Sequence, residues 1–222
     1  MSRRESAKAE RRRRIVAAAR DLIKETGDAG LSMRAIAARA EVSLTTPYNL
    51  FGSKRAIVIA LLEDVRDFQE RFSRLQPAGV IDRIFQALAI SIDYLAEDPD
   101  FYRTLWTEAL RPDSRELRGE MQSPQRYGFW WALWNEARSE GALDPALAFD
   151  PLLRVLDGIY VSTMLAWVLG TIGADEIAPR VGYGYALTLR GAARGDAPAA
   201  LTVRLAGFEK ALAALEARRA AA

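Results

Sequence analysis

The chain has 222 residues, half of them hydrophobic, which is enough for a sizeable core in one large domain or in a small domain joined to a larger one. It contains no cysteine and no histidine, which excludes disulfides, thiolate nucleophiles, imidazole bases and the usual zinc ligands. Residues 1–60 hold 13 Lys and Arg against 6 Asp and Glu, whereas residues 61–222 hold 18 against 23. A basic N-terminal part on an acidic remainder favours a polyanionic partner at one end, although a solvated, charge-rich N terminus is the alternative.

The first 14 residues are polar, with seven basic and two acidic side chains and no apolar segment that would indicate a signal peptide. We predict a frayed arm that merges into the first helix. Such an arm can reach into a DNA minor groove through electrostatic contacts. A disordered, solubilising tail explains the same composition.

The first helix is predicted from an apolar stripe that repeats at helical spacing, and Gly27 is its expected stop. The stripe consists of Ile15, Ala18, Ala19, Leu22 and Ile23.

Two short helices follow, predicted over Met33–Ala40 and Leu44–Leu50 and joined by a three-residue turn, 41–43. This arrangement is a helix-turn-helix, whose second helix can enter the major groove of DNA. Ser32 and Ser43 each precede a helix and are expected to cap its first N–H groups.

A long helix is predicted to begin at Ser53 and Lys54, with Ser53 as its cap, and to continue to about residue 75 before the breaker sequence Pro77-Ala78-Gly79. Its first turn lies beside the second helix of the pair, and its far end packs in the remainder of the chain. The helix is therefore expected to join a three-helix head to a larger body.

The body is predicted to be helical throughout, because no segment alternates with period two for long enough to form a strand. Residues 111–124 are polar and bounded by proline, which indicates a loop. One helix begins at either Asp144-Pro145 or Asp150-Pro151, each a cap followed by a first-turn proline. The predicted body helices are 80–96, 101–110, 125–140, one ending near Leu169, 175–193 and 198–217.

The longest uncharged stretch, Gly158–Ala174, has 17 residues, including three glycines. A membrane span needs about 20 predominantly apolar residues. We therefore expect a buried helix, no membrane partner and a cytoplasmic protein.

Four segments of the head resemble the N-terminal domain of the TetR family of transcriptional regulators, from about Arg14 to Val65. They are R-I-V-A-A-A-R-D-L-I (14–23), T-G (26–27), I-A-A-R-A-E-V-S (36–43) and P-Y-N-L-F-G-S-K (47–54). The resemblance implies a DNA-binding domain over residues 1–54 and an effector-binding and dimerisation domain over residues 55–222. The family usually has Gly where this chain has Glu41, and a non-glycine residue in a left-handed turn costs about 1–2 kcal/mol.

The second helix of the pair is expected to contact bases through Thr45 and Thr46, by their hydroxyl or methyl groups. Pro47 can add apolar contact. Tyr48 either packs in the core, binds phosphate or does both, whereas Arg39 is expected to be a solvated charge. By resemblance, Tyr48 and Lys54 bind phosphate. The full predicted DNA-binding set is Arg34, Ser43, Thr45, Thr46, Pro47, Tyr48, Asn49 and Lys54.

One head covers few base pairs, so specific binding to a dyad-symmetric operator is expected to need a homodimer. The helices near 151–170 and 175–193 carry more apolar residues than one buried face requires, which favours a four-helix isologous interface. The final helix, 198–217, is additional to the family's usual nine. It either extends this interface or covers the body.

Large aromatic side chains concentrate in the body, and the resemblance implies an effector pocket there for a small apolar or aromatic molecule. Plain core packing is the alternative. Ligand binding is expected to shift the long helix and so change the separation of the heads. The candidate pocket residues are Tyr102, Trp106, Tyr127, Trp130, Trp131, Trp134, Tyr160, Met164 and Trp167.

Without histidine or cysteine, catalysis would have to rest on carboxylates, lysine or tyrosine. The neighbouring Asp and Glu residues of the body are expected in loops and on exposed faces. We therefore predict a repressor that is released from its operator by a ligand, with no enzymatic activity, no cofactor and no metal. A helix-turn-helix protein without an effector, whose body serves only dimerisation or a protein partner, is the alternative.

Overall fold

The computed structural model describes residues 3–26, 31–62, 68, 71–75, 79–110 and 124–221. Within these ranges the regular structure is helical, apart from one isolated bridge between Leu143 and Ala193. The predicted all-α fold is confirmed. The helices are α1 (Arg3–Thr26), α2 (Met33–Arg39), α3 (Thr45–Phe51), α4 (Lys54–Leu62), α5 (Val80–Glu97), α6 (Pro99–Leu110), α7 (Pro124–Ser139), α8 (Phe149–Val168), α9 (Ile177–Ala192) and α10 (Ala197–Ala220), with a 3-10 turn at Ala174–Glu176.

The N-terminal arm is helical from Arg3 onward, so the prediction of a frayed arm is wrong for residues 3–14. The segment consists almost entirely of Arg, Lys, Glu and Ala, which are strong helix formers. Glu5 in the first turn also interacts favourably with the positive end of the helix dipole.

Contacts divide the chain into two compact units, residues 1–67 with 100–123 and residues 68–99 with 124–222. The core of the first unit combines the apolar stripe of α1 with side chains of α2 and α4. Phe101 and Leu105 of α6 complete the same core, although both lie far from it in the sequence. A division by contacts need not coincide with functional domains, so the boundary between residues 54 and 55 stays a prediction. Residues 63–67, 69–70 and 111–123 lie outside the description, and with them much of the predicted long helix and of the predicted loop.

In the second unit, α9 packs against both α8 and α10. Two of its glycines permit this close approach. A Cβ at Gly184 would lie 2.7 Å from Ile159 Cγ2 of α8, and a Cβ at Gly182 would lie 2.4 Å from Phe208 Cζ of α10. Helix α10 is therefore built into the unit, because α9 has no side chain where the Phe208 ring lies.

Polar contacts also fix α10. Arg219 near its end pairs with the buried Glu176, which accepts hydrogen bonds from the Gly173 N–H and from Arg180. Burial raises the pKa of the Glu176 carboxyl, but these hydrogen bonds and the two arginine charges outweigh burial and hold the pKa below its ordinary value.

The start of α8 resolves the two sequence alternatives, and neither is correct, because the helix begins at Phe149 after Ala148. The Asp144 carboxylate instead accepts a hydrogen bond from the Ala146 N–H in a local turn. Asp150 lies in the first turn of α8 and accepts a hydrogen bond from the Tyr127 hydroxyl, 2.6 Å away.

By length and composition, α8 is the one helix in the described part of the chain that could cross a membrane. A core helix of a soluble protein meets the same criterion. Six of its side chains are buried, and these are Leu152, Leu156, Tyr160, Thr163, Met164 and Trp167.

Candidate DNA-binding surface and ligand region

The first helix of the pair, α2, is capped as the sequence predicts, because the Ser32 hydroxyl accepts a hydrogen bond from the Ala35 N–H at 3.1 Å. Its inner face buries Met33, Ile36 and Ala37. The turn that follows contains Glu41 with φ +51°, the one non-glycine residue with positive φ among the described residues. The expected left-handed turn is present, and it carries the strain that a side chain there implies.

Two arginines of α1 bind carbonyls at the C-terminal ends of the two helices of the pair, α2 and α3. The Arg14 guanidinium donates to the Ala40 and Glu41 carbonyls at the end of α2, the latter at 3.1 Å. The Arg12 guanidinium donates to the Leu50 carbonyl at 2.6 Å and lies over the Phe51 ring, 4.1 Å from its centroid. Because the last carbonyls of a helix have no partner within it, a cation placed there satisfies them and opposes the helix dipole. Sequence analysis missed this role, since nothing in a run of four arginines distinguishes one from another.

Ser43 does not cap α3, contrary to the sequence prediction. Its hydroxyl lies 3.0 Å from the Thr45 hydroxyl and 2.8 Å from the Thr46 hydroxyl. Three hydroxyls therefore form one hydrogen-bonded group at the N-terminal end of α3. Ser43 and Thr45 are exposed and Thr46 is half-buried, so the group is accessible to a ligand that accepts or donates hydrogen bonds.

The rest of the predicted DNA-binding set divides by exposure. Tyr48 is 51% exposed and Asn49 is exposed, so both lie on the outer face of α3 with Thr45. Pro47 is buried, which leaves it no surface for the predicted contact with DNA. Arg34 is exposed on α2, and Lys54 is half-buried in the first turn of α4.

The predicted cap of α4 is present, because the Ser53 hydroxyl accepts a hydrogen bond from the Ala56 N–H at 3.1 Å. Arg39 is not simply a solvated charge. Its two terminal nitrogens lie 2.9 and 2.6 Å from the two carboxylate oxygens of Glu25, which joins α2 to the end of α1. The hydrogen bonds from Arg39 hold the pKa of Glu25 below its ordinary value.

The candidate pocket residues lie in both compact units. Tyr102 and Trp106 belong to the first unit, where Tyr102 is half-buried and packs against the α1 core. In the second unit, Tyr127 and Trp131 are exposed and Trp130 is half-buried. The remaining candidates are deeply buried, and these are Trp134, Tyr160, Met164 and Trp167.

Sequence analysis missed a cluster of three half-buried phenylalanines in the second unit. The ring of Phe129 on α7 meets the rings of Phe68 and Phe72 edge-on, with centroids 5.0 and 5.1 Å apart. Phe68 and Phe72 are spaced at i and i+4, which indicates a shared face of the predicted long helix but not the ring that meets them.

The buried polar atoms of the second unit that have no hydrogen-bond partner among the described residues include Gln86 Oε1 on α5 and Trp134 Nε1 on α7. Helices α5 and α7 pack against each other and are joined by an ion pair between Arg83 and Glu136. Buried polar groups are normally satisfied, so an acceptor and a donor left over in an apolar interior are places where a ligand or water can bind. Among the described residues no group of three or more acidic side chains that could hold a metal ion occurs.

Residues 15–61 match the model of a family described as bacterial regulatory proteins, tetR family. The chain is 26% identical over 181 residues to the HTH-type transcriptional repressor KstR of Rhodococcus jostii, which covers 79% of this chain and 81% of that protein. The structure is similar to that of TylP, a TetR regulator from Streptomyces fradiae, with a TM-score of 0.64, 23% identity, and coverage of 94% of this chain and 93% of the other. It is also similar to Thermus thermophilus FadR, a TetR-family repressor in complex with lauroyl-CoA, with a TM-score of 0.69, 23% identity, and coverage of 84% and 97%.

The matched residues include all of α2 and α3, nearly all of α4 and the part of α1 that carries the apolar stripe. The structural likeness extends over the body, where the sequence resemblance did not reach. Residues 15–61 therefore form a domain that matches the tetR family of bacterial regulatory proteins, and the chain shares the fold of solved TetR regulators.

Proposed function

We propose that the protein is a dimeric transcriptional repressor whose two heads bind a dyad-symmetric operator, and that an apolar or aromatic small molecule bound in the body releases it. The observation that carries this proposal is the outer face of α3, where three linked hydroxyls, an exposed tyrosine and an exposed asparagine lie on a helix that Arg12 fixes at its far end. The name of the relative KstR supports repression in particular.

DNA recognition follows from this face. The N-terminal residues of a recognition helix reach base edges, and flanking hydroxyls and cations bind phosphates. Thr45 and Thr46 are assigned to bases, and Tyr48 and Lys54 to phosphates. Ser43 orients both threonine hydroxyls, since its own hydroxyl lies within hydrogen-bond distance of each.

Dimerisation is assigned to one face of α8 and α9. Val155 and Leu165 of α8 are 51% and 41% exposed, Leu169 at its C-cap is 67% exposed, and Leu187 of α9 is 53% exposed. Exposed Gly158 and Ser162 complete a stripe on α8 that repeats at spacings of three and four. A stripe of that spacing is the pattern by which helices pack against a partner helix. A second copy of this chain would bury all four apolar side chains in a symmetric four-helix interface.

The ligand site is assigned to the second unit, which holds both half-buried aromatic rings and buried polar atoms without partners among the described residues. Phe68, Phe72 and Phe129 supply flat apolar surface, and Gln86 and Trp134 supply one acceptor and one donor. A ligand pocket is typically apolar with a few placed polar groups. The complex of the similar FadR with lauroyl-CoA supports a ligand with a large apolar part.

Control of the head by the ligand is assigned to the long helix predicted over 54–75 and to α6. Phe101 and Leu105 of α6 lie in the same core as α1, and the α1 side chains Arg20 and Lys24 each lie 5.8 Å from the centroid of the Phe101 ring. A displacement of α6 therefore changes the packing that supports the helix-turn-helix. A ligand can act only through a difference in affinity between two states, and a coupling of about 1–3 kcal/mol changes DNA affinity by roughly 5- to 150-fold.

The proposal is tested by selecting bound DNA from a random pool and then titrating salt. We expect a dyad-symmetric site and a steep loss of affinity with salt. Thr46→Ala should relax the preference at one or two positions of each half-site, whereas Lys54→Ala should weaken binding to all sequences alike. Equal losses at every base from both substitutions would contradict the assigned roles.

Ligand control is tested separately by tryptophan fluorescence with a panel of apolar compounds that includes acyl-CoA thioesters. A compound that changes the fluorescence should also weaken operator binding, and Phe129→Ala should reduce both effects. If no compound alters operator affinity, the effector part of the proposal fails and the protein is a DNA-binding protein without a ligand.

A further inference from the structure

The N-terminal half of α1 extends past the apolar core of its unit. Each buried residue of α1 lies at or after Ile15, and between Arg4 and Arg14 every side chain except that of Ala9 is exposed. The family match begins only at residue 15. This part of the helix, residues 3–14, is here called the extension, and contacts with the head explain it only at Arg12 and Arg14.

Apart from Arg3, the basic residues of the extension fall into two groups. Arg12 and Arg14 bind carbonyls of the helix-turn-helix, and Arg13 pairs with Glu10. Arg4, Lys8 and Arg11 are spaced by four and three residues, so they lie on one face of the helix.

The C-terminal end of the extension lies beside the proposed recognition helix, α3. Arg12 contacts the Leu50 carbonyl and the Phe51 ring at the C-terminal end of α3. An α-helix rises about 1.5 Å per residue, so Arg11, Lys8 and Arg4 lie roughly 1.5, 6 and 12 Å further along the axis. Duplex DNA carries one negative charge per about 1.7 Å of its axis, so a row of this length spans several phosphates.

We propose that Arg4, Lys8 and Arg11 form a second DNA contact, which binds phosphates that flank the base pairs under α3. The inference rests on the proposed DNA-binding function and adds a second region of contact to it. An α-helix is too wide for the minor groove, which is about 6 Å across, so a helical extension binds the backbone and does not enter that groove as a frayed arm would. The contact therefore adds affinity without sequence preference.

The test compares wild-type protein with the triple variant Arg4→Ala, Lys8→Ala, Arg11→Ala on the selected operator. Alanine preserves the helix. Binding is measured by fluorescence anisotropy over a range of salt, on a duplex with long flanks and on one trimmed to the base pairs under the two α3 helices. Six phosphates in a two-headed complex predict a salt slope lower by about 5 in the triple variant. Trimming should weaken the wild type and leave the triple variant unchanged.

Two control variants isolate the effect. Arg154→Ala, Lys210→Ala, Arg218→Ala makes the same change in net charge on the second unit and should keep the wild-type slope. Arg4→Lys with Arg11→Lys keeps the charge of the extension and should keep both the slope and the sensitivity to trimming.

The inference is overturned if the triple variant retains the wild-type slope and loses affinity equally on trimming. It is also overturned if the control on the second unit lowers the slope as much, because the effect would then belong to net charge. A wild-type protein that binds no duplex overturns the proposed function itself, so the wild-type measurement separates the two failures.

Discussion

Gly182 of α9 lies against the Phe208 ring of α10. Whether Gly182→Ala lowers or raises the free energy of unfolding should therefore depend on whether Phe208 is present. A Cβ at position 182 would lie 2.4, 2.5 and 2.8 Å from three atoms of the Phe208 ring. Gly182→Ala therefore has two opposing effects on the free energy of unfolding. Alanine stabilises a helix interior by about 1 kcal/mol relative to glycine. Overpacking of this kind costs about 1–3 kcal/mol.

Phe208 is half-buried, so its ring can move partly aside, and we expect Gly182→Ala to lower the free energy of unfolding by up to about 2 kcal/mol. Removing the ring removes the overlap. In a Phe208→Ala background, Gly182→Ala should therefore raise the free energy of unfolding by about 1 kcal/mol. The coupling between the two positions is then about 1–3 kcal/mol.

Urea denaturation of the wild type, both single variants and the double variant measures this coupling through the midpoint and the slope of each transition. Protein concentration is held constant, because the proposed dimerisation would contribute to apparent stability. Gly207→Ala is the matched control, since its added Cβ meets nothing within 4 Å and should stabilise α10. If Gly182→Ala destabilises both backgrounds equally, the Phe208 ring is not the cause and the reasoning is refuted.

Three further results are expected from the other contacts. Leu165→Glu should leave the monomer folded but abolish the dimer in sedimentation, because it places a charge in the proposed interface. Leu147→Glu, on a similarly exposed leucine outside α8, should leave the dimer intact. Arg14→Ala should weaken binding to all operators by about tenfold with an unchanged salt slope, because Arg14 binds protein carbonyls and not phosphates; a changed slope would disprove that role. Glu176→Gln should destabilise the protein at neutral pH by about 1–3 kcal/mol in urea denaturation. Because folding lowers the pKa of Glu176 from 4.5, the ionised carboxylate stabilises the protein fully above that pH, and this stabilisation is lost as the pH falls through the folded-state pKa. The unfolding free energies of the wild type and the variant should therefore converge in acid. A difference that stays constant with pH would contradict this role.

The helix-turn-helix was predictable because local chemistry determines it. The Ser32 and Ser53 caps, the apolar residues of α2 and the left-handed turn at Glu41 all follow from positions close together in the sequence. Ser43 was mispredicted because the Thr45 and Thr46 hydroxyls compete with the first N–H groups of α3 for its hydroxyl.

Contacts between distant residues could not be predicted in the same way. Phe101 belongs to the core under α1, and Arg219 binds Glu176, although no periodicity in either helix indicates its partner. No pattern in the sequence indicates that Gly184 lies against α8 and Gly182 against α10, and only the structure shows these contacts. Patterns in a sequence indicate which face of a helix is buried and leave open what covers it.

The strained turn at Glu41 bears on how one substitution could change the helix-turn-helix. Its backbone has the φ of +51° that favours glycine, and its carboxylate is largely exposed, 3.7 Å from the Arg14 guanidinium. A single-nucleotide change in a glutamate codon gives glycine, which would relieve the strain of the turn and remove one negative charge from the head. If the head binds DNA as proposed, this substitution should tighten operator binding, because one fewer carboxylate repels the phosphates.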